Sequence, residues 1–210
     1  MTDPRMVEQG SDEWKALRLG HVTASKVADI MAKGRNGEAV TRKKYKMQLV
    51  AERITEMQQD SFSNAAMEWG VEQEPFARMA YEVQNGVFVD KTGFWLHPVH
   101  RWIGVSPDGL VGEDGLVEIK CPNSTTHLDY VYDNKAPAGY MKQMQCQLWV
   151  TGRKWCDFIS YDPRVKHSKQ LFVKRVHRNE ELIAEMEAEV LAFLAEVEQT
   201  ITTLKGTEHE

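Results

Sequence analysis

The stretch from Gly104 to Pro122, GVSPDGLVGEDGLVEIKCP, limits the possible folds more than any other part of the chain. Its apolar-rich runs flank Gly112-Glu-Asp-Gly115, and two glycines around two acids are a strong turn signal. In an extended Leu116–Lys120 the side chains alternate, so Glu118 and Lys120 share one face and Val117 and Ile119 the other. The turn centre lies near Glu113, midway between Asp108 and Glu118. A hairpin about that point sets Asp108 opposite Glu118 and brings two carboxylates and an ammonium together. The apolar neighbours Ile103, Val105, Val117 and Ile119 point to a central strand.

Two close carboxylates repel each other unless a cation lies between them. Their oxygens suit a hard ion, Mg²⁺ or its substitute Mn²⁺. Phosphodiester hydrolysis uses such a cluster, because the ion polarises the phosphoryl group and lowers the pKa of a bound water. Lys120 would position the water or offset transition-state charge. The same residues also read more simply. Ser-Pro-Asp-Gly is a good β-turn, and x-Glu-x-Lys is common on a solvated face with a cross-strand ion pair. Spacing alone leaves both readings open.

Around this segment the periodicity predicts helices, then short strands, then helices, strands and a helix. Ser11 precedes a helical pattern from Glu13 to Leu19, and Thr23 is placed to cap another through Met31. Gly34 to Gly37 reads as a loop, with Lys33 and Arg35 beside it. Longer helices are predicted over about Thr41–Met57 and Asn64–Gln84, the second kinked or restarted at Pro75. Val87–Val89, Phe94–His97, Trp102–Val105 and Leu116–Ile119 read as an antiparallel meander. Helices follow at about Thr126–Tyr132 and Ala138–Val150, strands at Trp155–Tyr161 and Gln170–Val176, and a last helix at about Glu180–Leu204. The expected class is α/β, a mixed sheet flanked by helices, with residues 1–210 forming a single domain.

The 210 residues are 42% hydrophobic and 27% charged, as in an ordinary globular chain. The first residues lack a signal-peptide pattern, and no run nears the roughly 18 apolar residues of a membrane span. Cys121, Cys146 and Cys156 are scattered without CxxC spacing, so reduced thiols in a cytoplasm are expected. The net charge of −5 is unevenly placed: residues 179–210 hold nine acids and one base, leaving the rest at +3. A mildly basic body with an acidic tail is compatible with phosphate binding. The Lys33–Lys46 basic cluster reads either as a solvated face or as an arm on the DNA backbone through Lys33 and Arg35. His97 and His100 lack companions for a zinc site and are assigned to loop roles. The apolar stripe Leu182, Met186, Val190, Phe193, Leu194 and Val197 must pack on its own domain, a neighbouring subunit or a partner.

SPDG followed by GLVEIKCP resembles the active-site segment of the phage lambda exonuclease family, viral recombination nucleases of the PD-(D/E)XK superfamily. Four further blocks resemble that family in the same order: Trp14 to Ser25 (W-x-x-L-R-L-G-x-x-T-A-S), Trp69 to Glu74 (W-G-x-x-x-E), Tyr140 to Thr151 (Y-M-x-Q-x-Q), and Tyr161 to Arg164. The resemblance implies a restriction-endonuclease-like core with a C-terminal helix. It implies that Asp108, Glu118 and the Ile119 carbonyl bind metal, that Lys120 is catalytic, and that Glu74 serves a second ion or its water shell. It further implies that Gln143 orients the nucleophile and that Arg18, Ser25 and Ser106 form a pocket for a 5′-phosphate. Trp14 either packs in the core or stacks near the DNA end. By the same resemblance the activity is a processive 5′ to 3′ exodeoxyribonuclease on linear double-stranded DNA, leaving 3′ single strands. The expected assembly is a homotrimeric ring, and the expected partner is a single-strand annealing protein. The setting would be a bacterial cytoplasm, with the gene carried by a phage or prophage. The chain departs from the family at His21-Val22 and in the link from Cys121 to Tyr140. Other readings are a related endonuclease or repair nuclease, or a DNA-binding module without catalysis.

Overall fold

The computed structural model describes residues 2–35, 37–59 and 65–206. In chain order the elements are α1 (Asp12–Arg18), β1 (Val22–Thr23), α2 (Val27–Ile30), β2 (Lys33–Gly34), β3 (Gly37–Glu38), α3 (Val40–Thr55), α4 (Ala65–Asn85), β4 (Trp95–Leu96), β5 (Ile103–Val105), β6 (Gly109–Val111), β7 (Gly115–Lys120), α5 (Ser124–Asp133), α6 (Ala138–Thr151), β8 (Trp155–Tyr161), β9 (Leu171–His177) and α7 (Glu180–Gly206).

The main sheet has the order β6-β7-β8-β9, with β7 and β8 parallel and both outer pairs antiparallel. Alternation along β7 sorts its side chains between two helical layers. Val117 and Ile119 pack with Ala77 and Tyr81 of α4, while Leu116 packs with Met144 and Leu148 of α6. This is the predicted α/β arrangement, a mixed sheet between helices. The second sheet, β1-β5-β4, pairs β1 with β5 in parallel and β4 with β5 antiparallel.

Helix α6 is buried at every residue from Met144 to Val150, as expected of a helix enclosed on all sides. One side meets the main sheet. Its Cys146, Trp149 and Val150 join a second core with Val27 and Ile30 of α2, Tyr45 and Leu49 of α3, and the inner stripe of α7. The acidic C-terminal helix therefore packs on its own chain. Its outer acids pair with the basic helix: Glu196 meets Arg42 at 2.8 Å and Lys46 at 3.1 Å, and Glu198 meets Arg53 at 2.6 Å. Among the described residues no helix is long and apolar enough to cross a membrane.

Several elements differ from the sequence expectation. The short strands do not form one meander. Val87–Val89 is not a strand, because the Val89 N–H is taken by Glu82 Oε1 at 2.8 Å, and only Asp90 bridges to Leu110. Gly109–Val111, hidden behind a turn-like sequence, is a strand. The loop around Gly34 and Gly37 is a small β2–β3 hairpin. Ser11 caps α1 by accepting the Trp14 N–H, but Thr23 makes no side-chain cap. Val22 and Thr23 instead pair with Ile103 and Gly104. Helix α4 passes through Pro75 unbroken; its predicted start at Asn64 lies outside the described residues.

Candidate active site

The β6–β7 register pairs Gly109 with Val117, Leu110 with Leu116 and Val111 with Gly115. The turn residue Gly112 takes φ +53°, a conformation that favours glycine. Continuing the register by one residue sets Asp108 opposite Glu118, as the turn position predicts. Asp108 Oδ2 accepts the Ile119 backbone N–H at 2.6 Å. Lys120 Nζ lies 2.5 Å from Glu118 Oε1.

Helix α6 closes this site from the facing layer. Gln143 Nε2 donates to Glu118 Oε1 at 2.6 Å, and Gln147 Nε2 donates to Glu118 Oε2 at 2.7 Å. The two amides are four residues apart and share a helix face. Gln147 was not singled out from sequence, although its spacing from Gln143 is the signal that could have found it. Glu74, from α4, accepts from Arg78 at 2.7 Å.

Burial raises the Asp108 carboxyl well above the usual carboxylate range, and the charges of Glu118 and Glu74 push it further up; Lys120 and the Ile119 N–H oppose them. For Lys120 burial acts downward, but Glu118 and Asp108 outweigh it and hold the ammonium charged above its ordinary range. The locus thus brings carboxylates together with the partly buried Lys120 ammonium beside them. Asp108 Oδ1 has no protein partner among the described residues. Also among the described residues, no three His, Cys, Asp or Glu side chains gather into a metal cage. Both Glu118 oxygens are engaged by Lys120, Gln143 and Gln147, and Glu74 is engaged by Arg78. Such a donor set fits an open, all-oxygen site of one or two carboxylates completed by water and phosphate, the habit of Mg²⁺. It does not fit a closed protein cage.

The second predicted site assembles around Arg18. Its Nη1 donates to Ser106 Oγ at 3.3 Å, and Trp14 Nε1 donates to the same oxygen at 2.9 Å. The Arg18 guanidinium lies 4.1 Å over the Trp14 ring. Trp14 therefore braces Arg18 and Ser106. Arg18 and Ser25 line a cavity of about 130 Å³ with Lys15, Lys26, Gln48 and Glu52, whose buried carboxylate is held by the Gly20 N–H and Gln48. Burial pulls the Arg18 guanidinium down from its ordinary value, opposed by Tyr45 and by the Glu52 carboxylate, which does not come within ion-pair distance of it. A desolvated cation beside hydroxyls is suited to a phosphate. Ser25 faces this cavity without bonding to Arg18 or Ser106. Lys33 and Arg35 are exposed near the β2–β3 hairpin and line neither site.

His97 and His100 belong to a packed loop. His97 Nδ1 accepts the N–H groups of Val99 and His100, and His100 Nε2 meets Glu187 at 2.8 Å.

The YqaJ-like viral recombinase domain matches residues 13–154. An alkaline exonuclease from Laribacter hongkongensis is 47% identical, with a TM-score of 0.89 over 94% of this chain and 98% of that one. The same enzyme solved in complex with dAMP matches at 48% identity and the same TM-score. A phage-related exonuclease from Haemophilus somnus, 18% identical with a TM-score of 0.71 over 88% of this chain and 96% of that one, shares the fold. A curated relative, the uncharacterized protein R354 of Acanthamoeba polyphaga mimivirus, is 31% identical over 127 residues. That match spans 53% of this chain but only 23% of the mimivirus protein. The fold is that of the PD-(D/E)XK nucleases. The matched domain covers most of the chain and contains both carboxylates, the lysine and Arg18, and the chain belongs to the YqaJ-like viral recombinase family.

Proposed function

We propose that this protein is a Mg²⁺-dependent exodeoxyribonuclease that digests the 5′-ended strand of linear double-stranded DNA and leaves 3′ single strands for annealing. The observation that carries this reading is the β6–β7 hairpin, which sets Asp108 against Glu118 with Lys120 on the same carboxylate. The similarity to an alkaline exonuclease supports it, and the complex of that relative with dAMP fits a nuclease that releases mononucleotides.

In this reading Asp108, Glu118 and the Ile119 carbonyl hold the ion, with Glu74 serving a second ion or its water shell. The metal supplies Lewis acidity toward the phosphoryl oxygens and acidifies a bound water. The chain's own residues do the rest. Lys120, kept charged by Glu118, offsets charge developing on the phosphate. Gln143, at the open side of Glu118, orients the attacking water. Arg18, Ser25 and Ser106 seat the terminal 5′-phosphate and fix which bond reaches the carboxylates. Lys33 and Arg35, exposed beside the basic helix, contact the DNA backbone.

The proposal includes a homotrimeric ring that encircles DNA, which accounts for processivity on a weakly charged body, and a single-strand annealing partner. Exposed Val71, Met79 and Val83 along α4 offer apolar surface for assembly. Sedimentation at micromolar concentration tests the ring.

The direct test is digestion of a linear duplex with one labelled strand and one 5′-phosphorylated end, in Mg²⁺ or EDTA, beside Asp108→Ala. Metal-dependent loss of the phosphorylated strand, absent in the variant, is expected. Equal loss from Asp108→Ala would refute the site. Cutting of a closed circular duplex would convert the reading to an endonuclease.

A further inference from the structure

Helix α6 carries two fully buried glutamines, Gln145 and Gln147, each 1% exposed. They are used differently. Gln145 bonds backbone on both sides of its amide: Nε2 donates to the His177 carbonyl at 2.8 Å, and Oε1 accepts the Asn179 N–H at 2.8 Å. It ties α6 to the β9–α7 junction. Gln147 spends its Nε2 on Glu118 Oε2, and its Oε1 faces the Cys156 thiol at 4.0 Å. Burial raises the Cys156 thiol well above its ordinary value, so it stays protonated and faces the amide as a weak donor. This fixes which end of the amide meets the carboxylate.

We propose that Gln147 is a positioning residue that pins Glu118 Oε2 against the inner wall, so that Oε1 is the oxygen presented to the metal. The inference rests on the reading of Glu118 as a metal ligand. Three observations carry it. Gln147 is the partner of Oε2, and both it and Glu118 are buried, so water cannot replace it. The partners of Oε1, Gln143 and Lys120, are both partly exposed and are free to exchange with water or ligand. Asp108 is built the same way, with Oδ2 held by the Ile119 N–H and Oδ1 without a protein partner among the described residues. Each carboxylate thus has one oxygen held by a buried or backbone donor, and the other is either without a protein partner (Asp108) or held by partly exposed side chains that a bound ion can displace (Glu118). A ligand carboxylate held in this manner has its rotation fixed before metal arrives, and loss of such an outer partner typically costs about 10–100-fold in affinity.

The test is Mn²⁺ binding to the full chain without DNA, with free Mn²⁺ followed by electron paramagnetic resonance. Wild type, Gln147→Met, Gln145→Met and Asp108→Ala are compared. Gln147→Met keeps side-chain length but removes the donor, and its Mn²⁺ affinity should fall roughly 10–100-fold. Gln145→Met should lower the melting temperature while leaving Mn²⁺ affinity within about twofold, because its bonds are to backbone remote from the carboxylates. Unchanged affinity in Gln147→Met overturns the proposal, as does an equal loss in Gln145→Met, which would indicate general loosening of α6. If Gln147→Met does not fold, Gln147→Asn, which withdraws the amide by one methylene, must show the drop. Wild type binding no better than Asp108→Ala would instead refute the metal reading itself, and this inference with it.

Discussion

The two candidate sites place opposite charges in similar surroundings by opposite means. At the hairpin, Asp108, Glu118 and Lys120 lie within thirteen residues of one another, and β-sheet register brings them together. At the cavity, Arg18 comes from a seven-residue helix and Ser106 from the loop after β5, 88 positions away, joined through Trp14. The spacing of Asp108 and Glu118 at the hairpin is fixed by sheet register. The cavity depends on tertiary packing and can loosen while the sheet stays intact. Chemistry that needs fixed distances is therefore expected at the first, and selection of DNA ends at the second.

The largest predicted effect tests that division directly. Lys120→Ala should reduce turnover by roughly 10²–10⁴ with DNA and metal binding retained, the usual scale for removal of a charge-stabilising group. Near-normal single-turnover rates would remove Lys120 from the chemistry. Next in size, Arg18→Ala should abolish the preference for 5′-phosphorylated over 5′-hydroxyl ends, a change of about 10–100-fold for a charged hydrogen bond worth about 1.5–3 kcal/mol. If the two ends are still digested at their wild-type ratio, the cavity is not the end pocket.

The hairpin's dependence on register can be tested at Gly115, where an added Cβ would lie 2.2 Å from the Trp155 ring. The indole is stacked under Arg175 at 3.6 Å and has little room to move. Gly115→Ala should cost about 1–3 kcal/mol in thermal unfolding. Turnover should fall while the 5′-phosphate preference stays intact; loss of that preference as well would mean the two sites are not separable.

The smallest effect concerns the α3–α7 seam. Arg42 and Lys46 hold the Glu196 carboxyl down at about 2, against some opposition from burial. A depressed carboxylate contributes stability above its unfolded value of 4.5, and that contribution is lost as pH falls toward about 2. Glu196 is 40% exposed, so solvent screens the pair and its worth is under about 1 kcal/mol. Glu196→Gln should flatten the acid limb of the melting curve slightly and leave digestion at neutral pH unchanged.

How far each site could be read from sequence follows from the same contrast. Period-two alternation and one turn were enough to place Asp108 against Glu118, because sheet register is local arithmetic. The same local reading found α6 and α7 close to their observed bounds. It failed where tertiary contacts outweigh local preference. Val89 gives its N–H to a glutamate on α4, Gly109–Val111 pairs despite a turn-like start, and Thr23 joins a parallel strand from a distant segment. The Arg18 cavity was reached only through family resemblance. No spacing rule links Arg18 to Ser106, and sequence alone leaves Trp14, which joins them, between two roles. Gln147 shows itself in sequence only by its four-residue spacing from Gln143, and that spacing does not name Glu118 as the partner until the facing strand is in place.

The docking of α7 also orders events in time. Tyr45, Leu49 and Val50 are covered by residues 183–201, which leave the ribosome well after the helix they cover. Synthesis delivers the β6–β7 hairpin well before its neighbouring helical layer can close, and a chain stalled before residue 180 would carry that apolar layer uncovered. The nascent protein therefore passes through a window of aggregation risk that lasts until α7 has been made and docked.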